Sequence, residues 1–174
     1  YYWKNNNGEL ARTANANDAS SWDIMPVTSL PVTIGDLLHA TFYAPVAVQI
    51  PTGVKAYTGV VKNEDWFTLT EVTGTIPAGT AVVLIAEKAD TYHFEIVASK
   101  EEAIASPHLK GTVPTKVNDK KNDDVKYYTL QAHDFNNDGT KDGVAFKKYT
   151  GDNLNGFRAY VELPEGTEAT ALRI

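Results

Sequence analysis

The sequence contains no cysteine in 174 residues. That excludes thiol catalysis, cysteine-ligated metals and disulfides in one step. It leaves an extracellular address open, because a domain of this length can bury enough surface to stand without staples. Positive charge is also short: 16 Lys and Arg against 22 Asp and Glu, a net charge of -6. A nucleic-acid surface needs a basic stripe, and the densest basic stretch, Lys116 to Lys126, is largely offset by Asp119, Asp123 and Asp124. No apolar run approaches the ~20 residues of a membrane helix, so no membrane span is expected in this segment. There is no initiator Met either. The chain opens Tyr1-Tyr2-Trp3, which reads as a fragment or mature product and leaves a signal peptide undecided.

What is present is β-forming. Strand candidates follow one another at 40–48, 54–61, 66–73, 81–87, 92–98, 126–132, 144–149, 157–163 and 169–174. They are rich in Val, Ile, Thr, Tyr and Phe and are separated by turn residues. Lys62-Asn63-Glu64-Asp65 and Lys88-Ala89-Asp90 are short enough to be hairpin loops. Evenly spaced short strands predict an all-β, mainly antiparallel sandwich over 27–174, with one or two short helical turns. The clearest helical candidate is 100–105, where Ser99 and Glu102 have capping-box spacing and Pro107 stops continuation. A second turn is expected over 35–39. Within residues 1–26, Asn5-Asn6-Asn7-Gly8 and Ala14 to Ser21 are small, polar and turn-prone, with Trp3 and Trp22 as the large anchors. The segment reads either as the remnant of a preceding β module or as an arm packed through Trp22 and Ile24.

Ile50-Pro51-Thr52-Gly53 and Ile76-Pro77-Ala78-Gly79 repeat one pattern, apolar-Pro-x-Gly leading into a strand, and Leu154-Asn155-Gly156-Phe157 is a looser version. Proline is expected at the second turn position, with glycine taking the left-handed geometry after it. These segments, with 41–48, 54–57, 80–84, Leu109-Lys110-Gly111-Thr112, Arg158-Ala159-Tyr160-Val161 and Ala171-Leu172-Arg173, resemble a module near the C-termini of large secreted and surface proteins of Bacteroides- and Prevotella-type bacteria. The resemblance covers about 30–174, and Asp18 to Trp22 looks like the close of a module that often precedes it. It implies an extracellular β-sandwich used beside catalytic or binding domains, in a gut bacterium, and it carries no catalytic residues across.

One stretch has metal-ligand spacing. In Asp134-Phe135-Asn136-Asn137-Asp138-Gly139-Thr140-Lys141-Asp142, oxygen-bearing side chains stand at positions 1, 3, 5 and 9, with glycine at 6. Asp134, Asn136, Asp138, Thr140 and Asp142 are therefore candidate ligands of a structural Ca²⁺. Position 12 is Ala145 instead of the bidentate Glu of an EF-hand, so that motif is excluded; a polar hairpin tip is the plain alternative. The histidines, His39, His93, His108 and His133, have no zinc spacing, and alternation turns His93 to solvent. Adjacent acidic pairs such as Glu64/Asp65 and Glu101/Glu102 read as solvated loop charge, not as a glycosidase pair. For the aromatics burial is the plain expectation. Trp66, with Tyr43 and Tyr57, is the candidate carbohydrate platform if they share an exposed face.

The sequence thus favours a non-catalytic extracellular structural or spacer module of a larger bacterial surface or secreted protein. Its partners would be the neighbouring domains. Carbohydrate binding through exposed aromatics is the rival, and a glycan-active enzyme the least favoured.

Overall fold

A computed structural model describes residues 2–6, 9–13, 26–63, 66–112, 125–151, 154–167 and 169–174. The protein is all-β. Fifteen strands and no helix occur among the described residues. β1 (Tyr2–Asn6) and β2 (Glu9–Thr13) form an antiparallel hairpin. Trp22 and Ile24, the expected anchors of an N-terminal arm, lie outside the described residues.

The remaining strands build a sandwich with an extra outer layer. One half pairs β4 (His39–Tyr43), β9 (Ala81–Ala86), β6 (Val54–Asn63) and β7 (Trp66–Val72). The other pairs β11 (Leu109–Gly111), β14 (Ala159–Pro164), β12 (Val125–His133), β13 (Gly143–Lys148) and β15 (Ala171–Arg173). A single parallel bridge, Arg173 to Trp66, joins the halves into one nine-stranded sheet. That sheet curls until β14 faces β4 and β9, and β11 faces β9 and β6. The outer layer consists of β3 (Ser29–Ile34) with β10 (Asp90–Glu95), and β5 (Val48–Gln49) with β8 (Thr75–Ile76).

Two apolar cores result. Phe67, Val83, Tyr128, Phe146, Val161 and Leu172 fill the space between the two halves. Val32, Ile34, Phe42, Val82, Leu84 and Phe94 fill the space beneath the outer layer, with Phe42 and Phe94 stacked at 5.0 Å. β9 belongs to both. Its alternate residues Val82, Leu84 and Ala86 enter one core and Ala81 and Val83 the other. Double burial is why Ala81-Val82-Val83-Leu84-Ile85-Ala86 is uninterrupted apolar sequence, where a one-sided strand would alternate. Each fully buried Val or Leu here contributes about 1.5–3 kcal/mol.

Several local expectations are corrected. The span 40–48 is two strands, β4 and β5, broken around Pro45, which has no N–H to give a ladder. Lys88-Ala89-Asp90 is not a hairpin loop. Both edges of β9 are already taken by β4 and β6, so β10 leaves that sheet and pairs with β3. No helix forms at 100–105. Ser99 Oγ does accept from the Glu101 N–H, but the Ile104 N–H goes to Thr80 Oγ1 (3.0 Å) instead of back along the segment. So short a helix is marginal unless its own bonds close it. Over 35–39 there is one turn, closed by the Leu38 N–H on the Gly35 carbonyl. In the repeated turns Gly53 and Gly79 do take positive φ (81° and 76°). The closing bonds run from Val54 to Pro51 and from Thr80 to Pro77, so each proline is the first residue of its turn, not the second.

The looser third version has a different task. There Phe157, not the glycine, is left-handed (φ 57°). Its N–H donates to the Thr112 carbonyl (2.8 Å), just past β11, and its carbonyl accepts from Tyr43, the last residue of β4 (3.2 Å). One backbone thus ties the two ends of the nine-stranded sheet. Beside it the Tyr43 ring lies directly on Gly111, where a Cβ would fall inside the ring.

Candidate functional site

The loop between β12 and β13 is organised by its own aspartates. Asp134 Oδ2 accepts from the Gly139 N–H (2.7 Å), while Oδ1 accepts from Asn136 (3.1 Å) and Asp138 (3.3 Å). Asp138 Oδ1 takes the Thr140 N–H (2.7 Å), and Asp142 takes the Phe135 N–H (2.9 Å) and the Asn136 side-chain amide. Desolvation pushes the Asp134 carboxyl up. The N–H groups of Gly139, Asp138, Asn137 and Asn136 together outweigh it and hold the carboxyl below its ordinary value. Phe135 anchors the base of the loop edge-on to His133 (4.6 Å), with the Arg173 guanidinium 5.4 Å from its ring centre. Oxygens aimed at N–H groups are shared property: a Ca²⁺ here would have to compete with those bonds. Among the described residues no three His, Asp or Glu side chains converge at ion-holding distance.

The aromatics separate. Trp66 is half exposed (50%), against the expectation of burial, because it starts β7 beside the bulge in β6. Tyr43 and Tyr57 are partly buried. Tyr57 pairs with Glu71, an odd position of β7 on the face of Phe67 and Leu69, whereas Trp66 lies on the face of Val72. Successive strand residues point to opposite faces. Trp66 therefore stands on the other side of the sheet from Tyr57, and about 16 Å along the ladder at ~3.3 Å per residue. The three do not form one surface. His93 is exposed between buried Tyr92 and Phe94, as alternation required. His108 has a structural role: its Nδ1 accepts the Val61 N–H (3.1 Å) at the β6 bulge. Desolvation and the nearby Lys110 charge lower its pKa below 6.5.

A concavity lies elsewhere. A cleft of about 470 Å³ opens where β4, the end strand of one half, approaches β12, β14 and residues 154–158. β14 pairs with β12 only over 125–128, so β12 beyond Tyr128 borders the cleft with that edge unpaired by β14. Arg158 lies at its edge, with Nη1 donating to the Thr41 carbonyl (3.1 Å). Thr112 Oγ1 is buried between the Asn155 carbonyl (2.5 Å) and the Arg158 backbone, fixing residues 155–158. His39 Nδ1 is 2.6 Å from the Leu37 carbonyl, so Nδ1 carries a proton and donates there, leaving Nε2 uncommitted to that bond. Gln131 Nε2 donates to Thr129 Oγ1 (2.8 Å). Tyr160 closes one wall. Desolvation, then the Glu162 carboxylate and Tyr127, push its phenol up to about 12. Among the described residues no Asp or Glu lines it.

These cleft residues were not singled out by sequence reasoning as a site. Arg158 and Thr41 are 117 residues apart and neither sits in a chemical motif. The local signals were the Leu154-Asn155-Gly156-Phe157 turn and the resemblance segments at 41–48, 109–112 and 158–161, none of them chemical. Compared with known protein families, curated proteins and solved structures, the chain matches none.

Proposed function

We propose that this chain is a non-catalytic structural module, a spacer that holds neighbouring domains of a larger extracellular bacterial protein at a set distance. The observation that supports the reading best is the tying of the sandwich along both of its edges, at Arg173–Trp66 and at Phe157. Such a body resists shear, which is what a spacer must do. The resemblance over 30–174 points the same way and supplies the secreted or cell-surface setting. A structural Ca²⁺ at Asp134, Asn136, Asp138, Thr140 and Asp142 belongs to the same proposal, as a stiffener of one hairpin tip.

The decisive assay is incubation of the purified chain with a panel of plant, bacterial and host glycans. The expected result is no turnover, and hydrolysis of any one would overturn the reading. Carbohydrate binding at Trp66 is a second reading, favoured by its half-exposed ring at a strand end. On a glycan array it requires that the wild type bind and that Trp66→Ala lose the signal.

A further inference from the structure

The cleft between β4, β12 and the 154–158 segment has an unusual charge balance for an acidic protein. Acidic side chains outnumber basic ones in the chain, 22 to 16, yet among the described residues none lines this concavity, and a guanidinium does. Among the described residues Arg158 meets no carboxylate. Its one fixed bond, to the Thr41 carbonyl, occupies a single N–H and orients the planar fork without neutralising it. The walls around it are neutral and hydroxylated. Gln131 spends its amide N–H on Thr129, which leaves its carbonyl oxygen as an acceptor. His39 presents Nε2 after its Nδ1 is committed to Leu37. The volume of about 470 Å³ lies within the range of small-molecule sites.

We propose that this cleft binds a carboxylate-bearing sugar, a hexuronate or a short oligomer of it, with Arg158 reading the carboxylate. A planar fork with no counter-charge pairs with a carboxylate through two parallel N–H bonds, the strongest polar contact such a site offers. The Thr, Gln and His groups supply the mixed donors and acceptors that ring hydroxyls require. Partly buried Leu37 and Leu154 offer apolar wall to the ring's C–H face. The site does not involve Trp66 and needs no catalytic group, so it stands or falls independently of the spacer proposal.

The test is a titration of the ¹⁵N-labelled chain with glucuronate, glucose and acetate at constant ionic strength, followed by amide shifts. Glucuronate is expected to move the amides of Thr41, Gln131 and Arg158 saturably. Glucose should bind about tenfold more weakly, the loss of one charge-assisted pair. Arg158→Gln should weaken glucuronate binding by a similar factor. Because Arg158 also holds Thr41, Gln131→Glu serves as a second variant: its side chain is exposed, and the new carboxylate should repel the ligand while the spectrum stays native. Equal affinity for glucose and glucuronate would overturn the proposal, as would acetate binding as tightly as glucuronate. So would shifts gathered around Trp66, or no saturable shifts at all.

Discussion

Thr58 carries a hydroxyl into β6 where nothing answers it: the residue is buried, and Oγ1 has no hydrogen-bond partner among the described residues. An unanswered buried hydroxyl costs free energy that an isosteric methyl does not. Thr58→Val is therefore expected to raise stability by about 1 kcal/mol in urea denaturation; a loss of stability would mean that the hydroxyl is bonded. His108 makes the opposite kind of case. Its Nδ1 accepts an N–H, which only the unprotonated ring can do, and its folded pKa is depressed. A depressed histidine contributes stability that is complete above the ordinary value of about 6.5. The contribution falls away as pH drops through that value towards the lower folded one, because the unfolded chain binds the proton first. Melting temperature should decline between pH 7.5 and 5.5, and less steeply in His108→Asn; parallel slopes would remove His108 from the account. At this scale the sequence was legible where one rule sufficed, as with His93, whose outward position follows from alternation alone. It was silent on Arg158, whose meaning comes from a carbonyl 117 residues away.

Among elements, the β12–β13 connection is the one whose sequence spoke most loudly. Its alternate oxygens were legible, but not their employment, since the same carboxylates that can ligate a cation can also accept the loop's own N–H groups. The two uses are distinguishable by experiment. The calcium proposal requires that millimolar Ca²⁺ raise the melting temperature, and that Asp134→Ala combined with Asp138→Ala abolish the rise, since a ligand bound only to the native state stabilises it. An unchanged melting temperature would leave the aspartates as turn formers only. The strands were read well because pleated, half-buried ladders select Val, Ile, Thr and aromatics whatever their partners. Beyond the β6–β7 and β12–β13 hairpins, who pairs with whom was not readable. Lys88-Ala89-Asp90 is as short as a hairpin loop, yet it leads out of the sheet, because the edges of β9 were already filled by segments distant in sequence. The missing helix at 100–105 is the same lesson. Ser99 does accept a first N–H there, but Thr80, just before β9, took the N–H that would have propagated the helix.

For the molecule as a whole, β9 governs. A strand buried in both cores couples them, so neither can be lost while the other persists. Residues 29–174 are expected to unfold in one transition, with calorimetric and van't Hoff enthalpies equal and far-UV circular dichroism following the same curve. Two resolved transitions would show that the outer layer melts separately. The all-β, layered character was present in the sequence from Leu30 onward. The curling of the sheet was not, because closure depends on a few long-range bonds that leave no periodic trace.

The clasp at Phe157 has a consequence for this protein in company. At this seam the margin of β4 is held to the far side of the sheet by the backbone bonds of one left-handed residue and the Arg158 side chain on Thr41, whereas β4 and β9 are joined along five register pairs. Brief unlatching should cost far less than global unfolding. Proton–deuterium exchange at the Tyr43 and Phe157 amides is expected to outrun exchange at the β9 amides. Each unlatching bares a strand margin able to recruit a neighbour's, so high local concentration would favour chain-to-chain stitching at this seam.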